Sequence, residues 1–349
     1  MSIRKKTKME KEKTYTVADL LVVLGFLVLI YSIYIGTKLL SGDFMEAVIT
    51  AGVVAGTCVL FLWLLCMAKK AYNHRQAWRV LEWVILILFA AFFFISTKNA
   101  RHFQYIISIK EELHTNAISD KNKIIALFDA YEESEKRDIG RIYNSIKALP
   151  AYETIYADAN TKKRLAAWKG DKTIKIGKYY TQDELNDAAQ AYSKVLMDGV
   201  LLGPRYQALR EAYVVKLDTI VNSIRKGIGY GEFYSMSKKL MTYYTDVAAE
   251  LTGFSAREQK YELTVHNGIL TSKAMPNTYK ADSESLQLRT HFNGTSQSTN
   301  VGWIYTAIAF CLILCPYFAT HRSCRVTVLN GSIFSRKKSF TNDGGIDIC

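Results

Sequence analysis

Four long apolar runs divide the chain unevenly. Val17–Leu40, Val48–Ala68 and Val80–Thr97 crowd its N-terminal part, and Val301–Ala319 follows only after a long mixed stretch. A helix rises about 1.5 Å per residue, so each run is long enough to cross a hydrocarbon core of roughly 30 Å. The pattern predicts an all-α, polytopic membrane protein with four transmembrane helices, three N-terminal and one C-terminal. A helical-bundle extracytoplasmic domain is expected between the third and the fourth.

Charge orients these spans. The net charge of +13 is concentrated in three places. Arg4, Lys5, Lys6, Lys8, Lys11 and Lys13 precede the first run. Lys69, Lys70, Arg75 and Arg79 lie between the second and third. Arg322, Arg325, Arg336, Lys337 and Lys338 follow the fourth. With four spans, all three places fall on one side, whereas the short opposite loop Ser41–Met45 has no basic residue and contains Asp43. This is the positive-inside pattern, and it predicts cytoplasmic termini with residues 98–300 extracytoplasmic, in a plasma or bacterial inner membrane. Within 98–300 acidic and basic residues are interspersed, which argues against a nucleic-acid partner. The first run exceeds a signal-peptide core and no small-x-small cleavage site follows it, so it reads as a retained span.

The expected organisation is a basic tail at 1–16, a three-helix membrane domain at 17–97 and a helical domain at 98–268. A polar tether at 269–300, a fourth span at 301–319 and a cytoplasmic tail at 320–349 follow. The third run continues into Lys98–His114 without a break signal and reads as a stalk. Ile124, Leu127, Phe128 and Tyr131 form one helical stripe; Ile139, Ile142, Tyr143, Ile146 and Leu149 form another, ended by Pro150. A helix is expected over Tyr152–Trp168, with a short extended piece at Thr173–Ile176. Thr181-Gln182-Asp183-Glu184 reads as a capping box. Gly203-Pro204 opens a further helix, which Gly227–Gly231 ends. Ser255-Ala256-Arg257-Glu258 reads as a second capping box, and Asn267-Gly268 as the close of the last helix. Asn293-Gly294-Thr295 fits a glycosylation sequon, and Arg325–Phe334 fits a small β-hairpin or a partner-docking segment.

Chemistry is sparse. No phosphate-binding glycine loop or nucleophile elbow is present, and the histidines of the 98–300 segment stand at no metal spacing. The chain is therefore read as a non-enzyme, with no cofactor and no metal. Cysteines occur at 58, 66, 311, 315, 324 and 349, leaving 98–300 without any. Cys311 and Cys315 share a helix face but have no His or carboxylate in their run, so they read as packing residues. Asp19, Glu46 and Glu82 sit at span ends, where water and headgroups reach them. Uncharged span centres argue against a pump or an ion-coupled transporter.

Two sets of residues are candidates for contact. Gly52 and Gly56, with Ala51 and Ala55, form a small-residue helix-packing face for spans one and three or for another chain. The chain holds 22 tyrosines. Tyr179, Tyr180, Tyr230, Tyr234, Tyr243, Tyr244 and Tyr261 form a candidate partner surface, the alternative being a core of amphipathic aromatics. The leading functional expectation is a membrane subunit, scaffold or anchor of an envelope-spanning multiprotein assembly of secretion type. It would act with other protein subunits or as a homo-oligomer. The alternatives are a ligand- or peptide-sensing protein that relays to a separate cytoplasmic partner and, less favoured, an oligomeric channel or transporter.

Overall fold

The structure, a computed structural model, describes residues 17–71, 77–168, 172–257, 260–276, 279, 286–292 and 294–319. These fall into two compact units. One is built from described residues of 17–110, 229–235 and 292–319, the other from those of 111–228 and 236–291.

The first unit is helical. It comprises α1 (Val17–Ser41), α2 (Phe44–Ala71), α3 (Ala77–Ser96), α4 (Lys98–Ser108), α10 (Asn300–Ile313) and α11 (Cys315–Ala319). Three of these contain segments long and apolar enough to cross a membrane: Leu20–Ser41, Phe44–Lys69 and Arg79–Ser96. A tight turn at Gly42 and Asp43 reverses the chain between α1 and α2. There Gly42 adopts φ of +72° and packs against Tyr234, whose ring a Cβ would meet. Rings join the next pairs. Phe61 of α2 stacks on Phe89 of α3 at 5.4 Å, and Phe93 and Phe94 of α3 meet Phe310 of α10 at 5.0 and 5.6 Å.

The fourth apolar run is interrupted. α10 spans 14 residues, below the length of the other three, and Leu314 separates it from α11. Pro316 lacks the N–H that would continue the ladder, so the break follows from the sequence. Even so, α10 and α11 run antiparallel to α1. Gly25 lies against Leu312 and Ile313, while Ser32 shares a 2.7 Å hydrogen bond with Tyr305. At the far end, Lys69 Nζ donates to the Tyr317 carbonyl at 2.6 Å and sits over that ring. Glu82 is not a water-facing end residue as expected. It is 2% exposed and accepts from the Tyr317 hydroxyl.

The expected stalk also differs. Turns at Thr97 and Ile109 set off α4, which belongs to the first unit and packs along α1 and α10. Gly36 of α1 touches the Asn99 backbone so closely that a Cβ would overlap it. Asn99 Nδ2 donates to Thr37 Oγ1 at 2.7 Å. Arg101 is buried; it donates to the Phe94 carbonyl at 2.7 Å and stacks over Trp303 of α10 at 4.0 Å. The turn at Tyr230–Glu232 docks in this unit too, with Gly231 against Lys38 and Ile35, and Lys38 paired with Glu232.

The second unit is not all-α. Its helices are α5 (the Glu111–Lys147 part of Lys110–Lys147), α6 (Ala159–Ala167), α7 (Gln182–Val200), α8 (Pro204–Lys226) and most of α9 (Phe233–Arg257). A three-stranded sheet of β1 (Tyr156–Ala157), β2 (Tyr261–His266) and β3 (Ile269–Ala274) accompanies them in the order β1-β3-β2. β2 and β3 form an antiparallel hairpin with His266 opposite Ile269. Asn267 and Gly268 are its two-residue turn, at φ of +51° and +73°. The expected helix end is thus a type I′ hairpin turn, because Asn-Gly serves either role. The strand over Ile269–Ala274 and the 3-10 turn at Leu288–Phe292 likewise correct the picture of 269–300 as a bare tether. Asp120, fully buried in α5, holds that turn by accepting from the Gln287 and Leu288 N–H groups at 2.7 and 2.8 Å.

Helix starts agree with the sequence. Thr181 and Glu184 form the reciprocal capping box of α7, Pro204 occupies the first turn of α8, and Gly227 closes α8 in the left-handed region. The two expected stripes at 124–131 and 139–149 belong to one helix, α5, apart from Leu149 just beyond its end. The helix expected over Tyr152–Trp168 starts only at Ala159, after the N-cap Asp158, and Thr173–Ile176 forms no strand. The basic tails, Arg75, the side chains of the second capping box, Asn293 of the sequon and the C-terminal hairpin lie outside the described residues.

Candidate functional site

The second unit contains a cavity of about 390 Å³ where α5, α6, α7 and the hairpin meet. Its position follows from how α6 is anchored. The Asp158 carboxylate accepts from the Thr161 N–H at 2.7 Å and starts the helix; that bond, more than nearby Arg164, holds the Asp158 carboxyl below its usual range. One turn on, Arg164 reaches across to β3. Its Nη1 donates to the Ser272 carbonyl at 2.8 Å and to the Ser272 hydroxyl at 2.6 Å, and Thr161 shares a 2.9 Å bond with the same hydroxyl. The Arg164 guanidinium lies 3.7 Å from the Tyr261 ring centroid on β2, a cation–π arrangement.

Trp168 caps the C-terminal end of α6 and meets Tyr192 of α7 edge-to-face at 4.6 Å. Ile146, Leu165, Ile174 and Leu263 supply aliphatic walls. Among the described residues the lining is thus aromatic and apolar with one cation, Arg164. Burial pushes the Tyr192 phenol above its ordinary range, and Tyr261 adds to the shift. The Trp168 Nε1–H is buried without a hydrogen-bond partner among the described residues.

The sequence-derived candidates separate. Of the seven tyrosines only Tyr261 lines the cavity. Tyr179 is well exposed, and Tyr180 bonds the Lys175 backbone through its hydroxyl. Tyr243 packs edge-to-face on Tyr213, and Tyr244 is buried. Tyr230 and Tyr234 belong to the first unit, where Tyr230 meets Phe103 and Phe233.

The small-residue face divides as well. Ala51 is buried with Val54 and Cys58 in the first unit's core and Ala55 is half-buried, whereas Gly52 and Gly56 are exposed with open space where a Cβ would stand.

Pattern reading missed Arg164, Trp168 and Tyr192, which come from elements distant in sequence. The available signal was a lone tryptophan at the end of a short basic helix, beside a Tyr-Glu-Leu-Thr-Val-His alternation at 261–266.

Other charged clusters in this unit are structural. Lys260 is buried with Glu135 and Asp138, pairing with the first and lying 3.7 Å from the second. Arg210 bridges Glu132 at 2.9 Å and Asp129 at 3.1 Å, and Tyr206 donates to Glu132 at 2.9 Å. Among the described residues no group of three or more His, Cys, Asp or Glu is placed to hold a metal ion. Comparison with family models, curated proteins and solved structures gives no match.

Proposed function

We propose that the chain is a four-span integral membrane protein that displays residues 98–300 on the extracytoplasmic face, as the scaffold or anchor of a multiprotein assembly. The observation that carries this reading is the antiparallel course of α10–α11 against α1. The chain leaves the first unit after α4 and returns to it ahead of α10, with Gly302 packed on Arg101 of α4. α10 and α11 together cover Asn300–Ala319, the length of a crossing at about 1.5 Å per residue. Lys69 and Arg79 stand at the opposite end from Asp43, and the positive-inside rule makes theirs the cytoplasmic end. Extraction in mild detergent tests the scaffold role. Recovery in a large complex with reproducible partners is expected, and recovery as a lone monomer under several mild conditions contradicts it.

A second reading, a ligand-sensing membrane protein, is favoured by the preformed cavity beside α6. Cavities of this size and apolar lining are the usual form of small-molecule sites.

A further inference from the structure

Resting on the sensing reading, we propose that the cavity beside α6 binds a planar aromatic carboxylate, its ring held among Trp168, Tyr192 and Tyr261 and its carboxylate by Arg164.

The walls select the ring. Trp168 and Tyr192 stand edge-to-face at 4.6 Å, and Tyr261 faces the Arg164 guanidinium. Aromatic faces and edges of this kind favour another ring through offset or edge-to-face contact.

The cation selects the acid. Both Arg164 hydrogen bonds to Ser272 leave from Nη1. Nε and Nη2, which form the side edge of the guanidinium fork, have no acceptor among the described residues. No carboxylate there forms an ion pair with Arg164, and Asp158, the acid whose field it feels, is engaged with the Thr161 N–H. A guanidinium edge of this geometry matches a carboxylate through two parallel N–H···O bonds. The stack on Tyr261 and the Ser272 bonds hold the fork in place before a ligand arrives, so little order is lost on binding.

A second donor lies one turn further along. Trp168 is 9% exposed and its Nε1–H has no partner among the described residues. A buried donor without an acceptor is unfavourable, and an anionic oxygen relieves it. An amine would meet the Arg164 charge, and a neutral isostere would leave part of the fork unfilled.

The test uses the full-length protein in amphipol, titrated calorimetrically with 2-naphthoate, 2-naphthamide and 2-naphthylmethylamine. The acid should bind at least about tenfold more tightly than the amide, the usual scale for a charge-assisted pair. The amine should bind most weakly. Arg164→Gln should abolish the preference for the acid while the amide still binds, and Trp168→Phe should weaken the acid more than the amide. Thermal unfolding without ligand checks that each variant folds. Should Arg164→Gln fail to fold, Arg164→Lys, which keeps the charge without the fork, should still weaken the acid. Equal affinity for acid and amide, or acid binding unchanged in the Arg164 variants, overturns the carboxylate assignment and leaves a ligand-binding cavity standing. No binding by any of the three overturns both the assignment and the sensing reading.

Discussion

The Tyr317 hydroxyl donates to Glu82 Oε1 at 2.5 Å, joining α11 to the early part of α3 across 235 residues of sequence. Glu82 is buried, and a carboxylate there is tolerable only while hydrogen-bonded. The Lys69 ammonium over the Tyr317 ring brings the end of α2 into the same cluster. Replacing Tyr317 with Phe keeps the ring and removes the donor. The variant should lose about 1–2 kcal/mol of stability, measured by thermal unfolding in detergent. No loss would mean that α11 is not held at this end of the bundle.

Helix contacts within the first unit give a graded prediction for glycines. Gly36→Ala sets a Cβ into the Asn99 backbone where α1 and α4 cross, and should cost about 1–3 kcal/mol through overpacking. Gly52→Ala and Gly56→Ala meet nothing within 4 Å and should stay within about 0.5 kcal/mol of the parent protein. The same unfolding assay reads all three. A large loss at Gly52 or Gly56 would show that a second chain covers this face.

The β2–β3 turn is sensitive at one position in particular. Gly268 sits at φ of +73°, in the left-handed region that an L side chain enters at a cost. Gly268→Ala should destabilise the second unit by about 1–2 kcal/mol, read by amide hydrogen exchange across Tyr261–Ala274. Unchanged protection of the hairpin would refute the turn assignment.

His291 links the second unit to pH. Burial holds its pKa below the ordinary 6.5, with Glu112 opposing at 3.9 Å and Asn116 bonded to the ring at 3.1 Å. The folded protein therefore binds this proton less readily than the unfolded chain. The resulting stability is present above 6.5 and is lost as pH falls through the lowered folded value. Melting temperatures should drop as pH is lowered from 6.5 towards that lowered value, and His291→Gln should flatten the part of the curve belonging to this residue. An unaltered pH profile in the variant would remove His291 from the account.

How much of this was legible in the sequence depends on the range of the interaction. The three N-terminal helices long and apolar enough to cross a membrane and the caps at Thr181, Pro204 and Gly227 are local signals, and each lies where its pattern places it. Asn267-Gly268 is also local but serves two geometries. The alternation of Tyr261, Leu263 and Val265 with Glu262, Thr264 and His266 was the cue that separates a hairpin from a helix end. The fully buried Asp120 had no readable role, because its partners, the Gln287 and Leu288 N–H groups, lie far along the chain. The cavity was illegible for the same reason, since Arg164 acquires its setting from Ser272 and Tyr261 on the hairpin.

The central claim, a fourth crossing that returns the chain to the cytoplasm, is tested most directly by labelling with a membrane-impermeant maleimide. The native protein has no cysteine between 98 and 300, but has Cys324 and Cys349 in the tail beyond the fourth apolar run. In intact cells, or in spheroplasts where an outer membrane intervenes, Thr219→Cys should be labelled at the exposed face of α8. The unsubstituted protein should react only after permeabilisation. Labelling of Cys324 and Cys349 without permeabilisation, or failure to label Thr219→Cys, would contradict the four-span account.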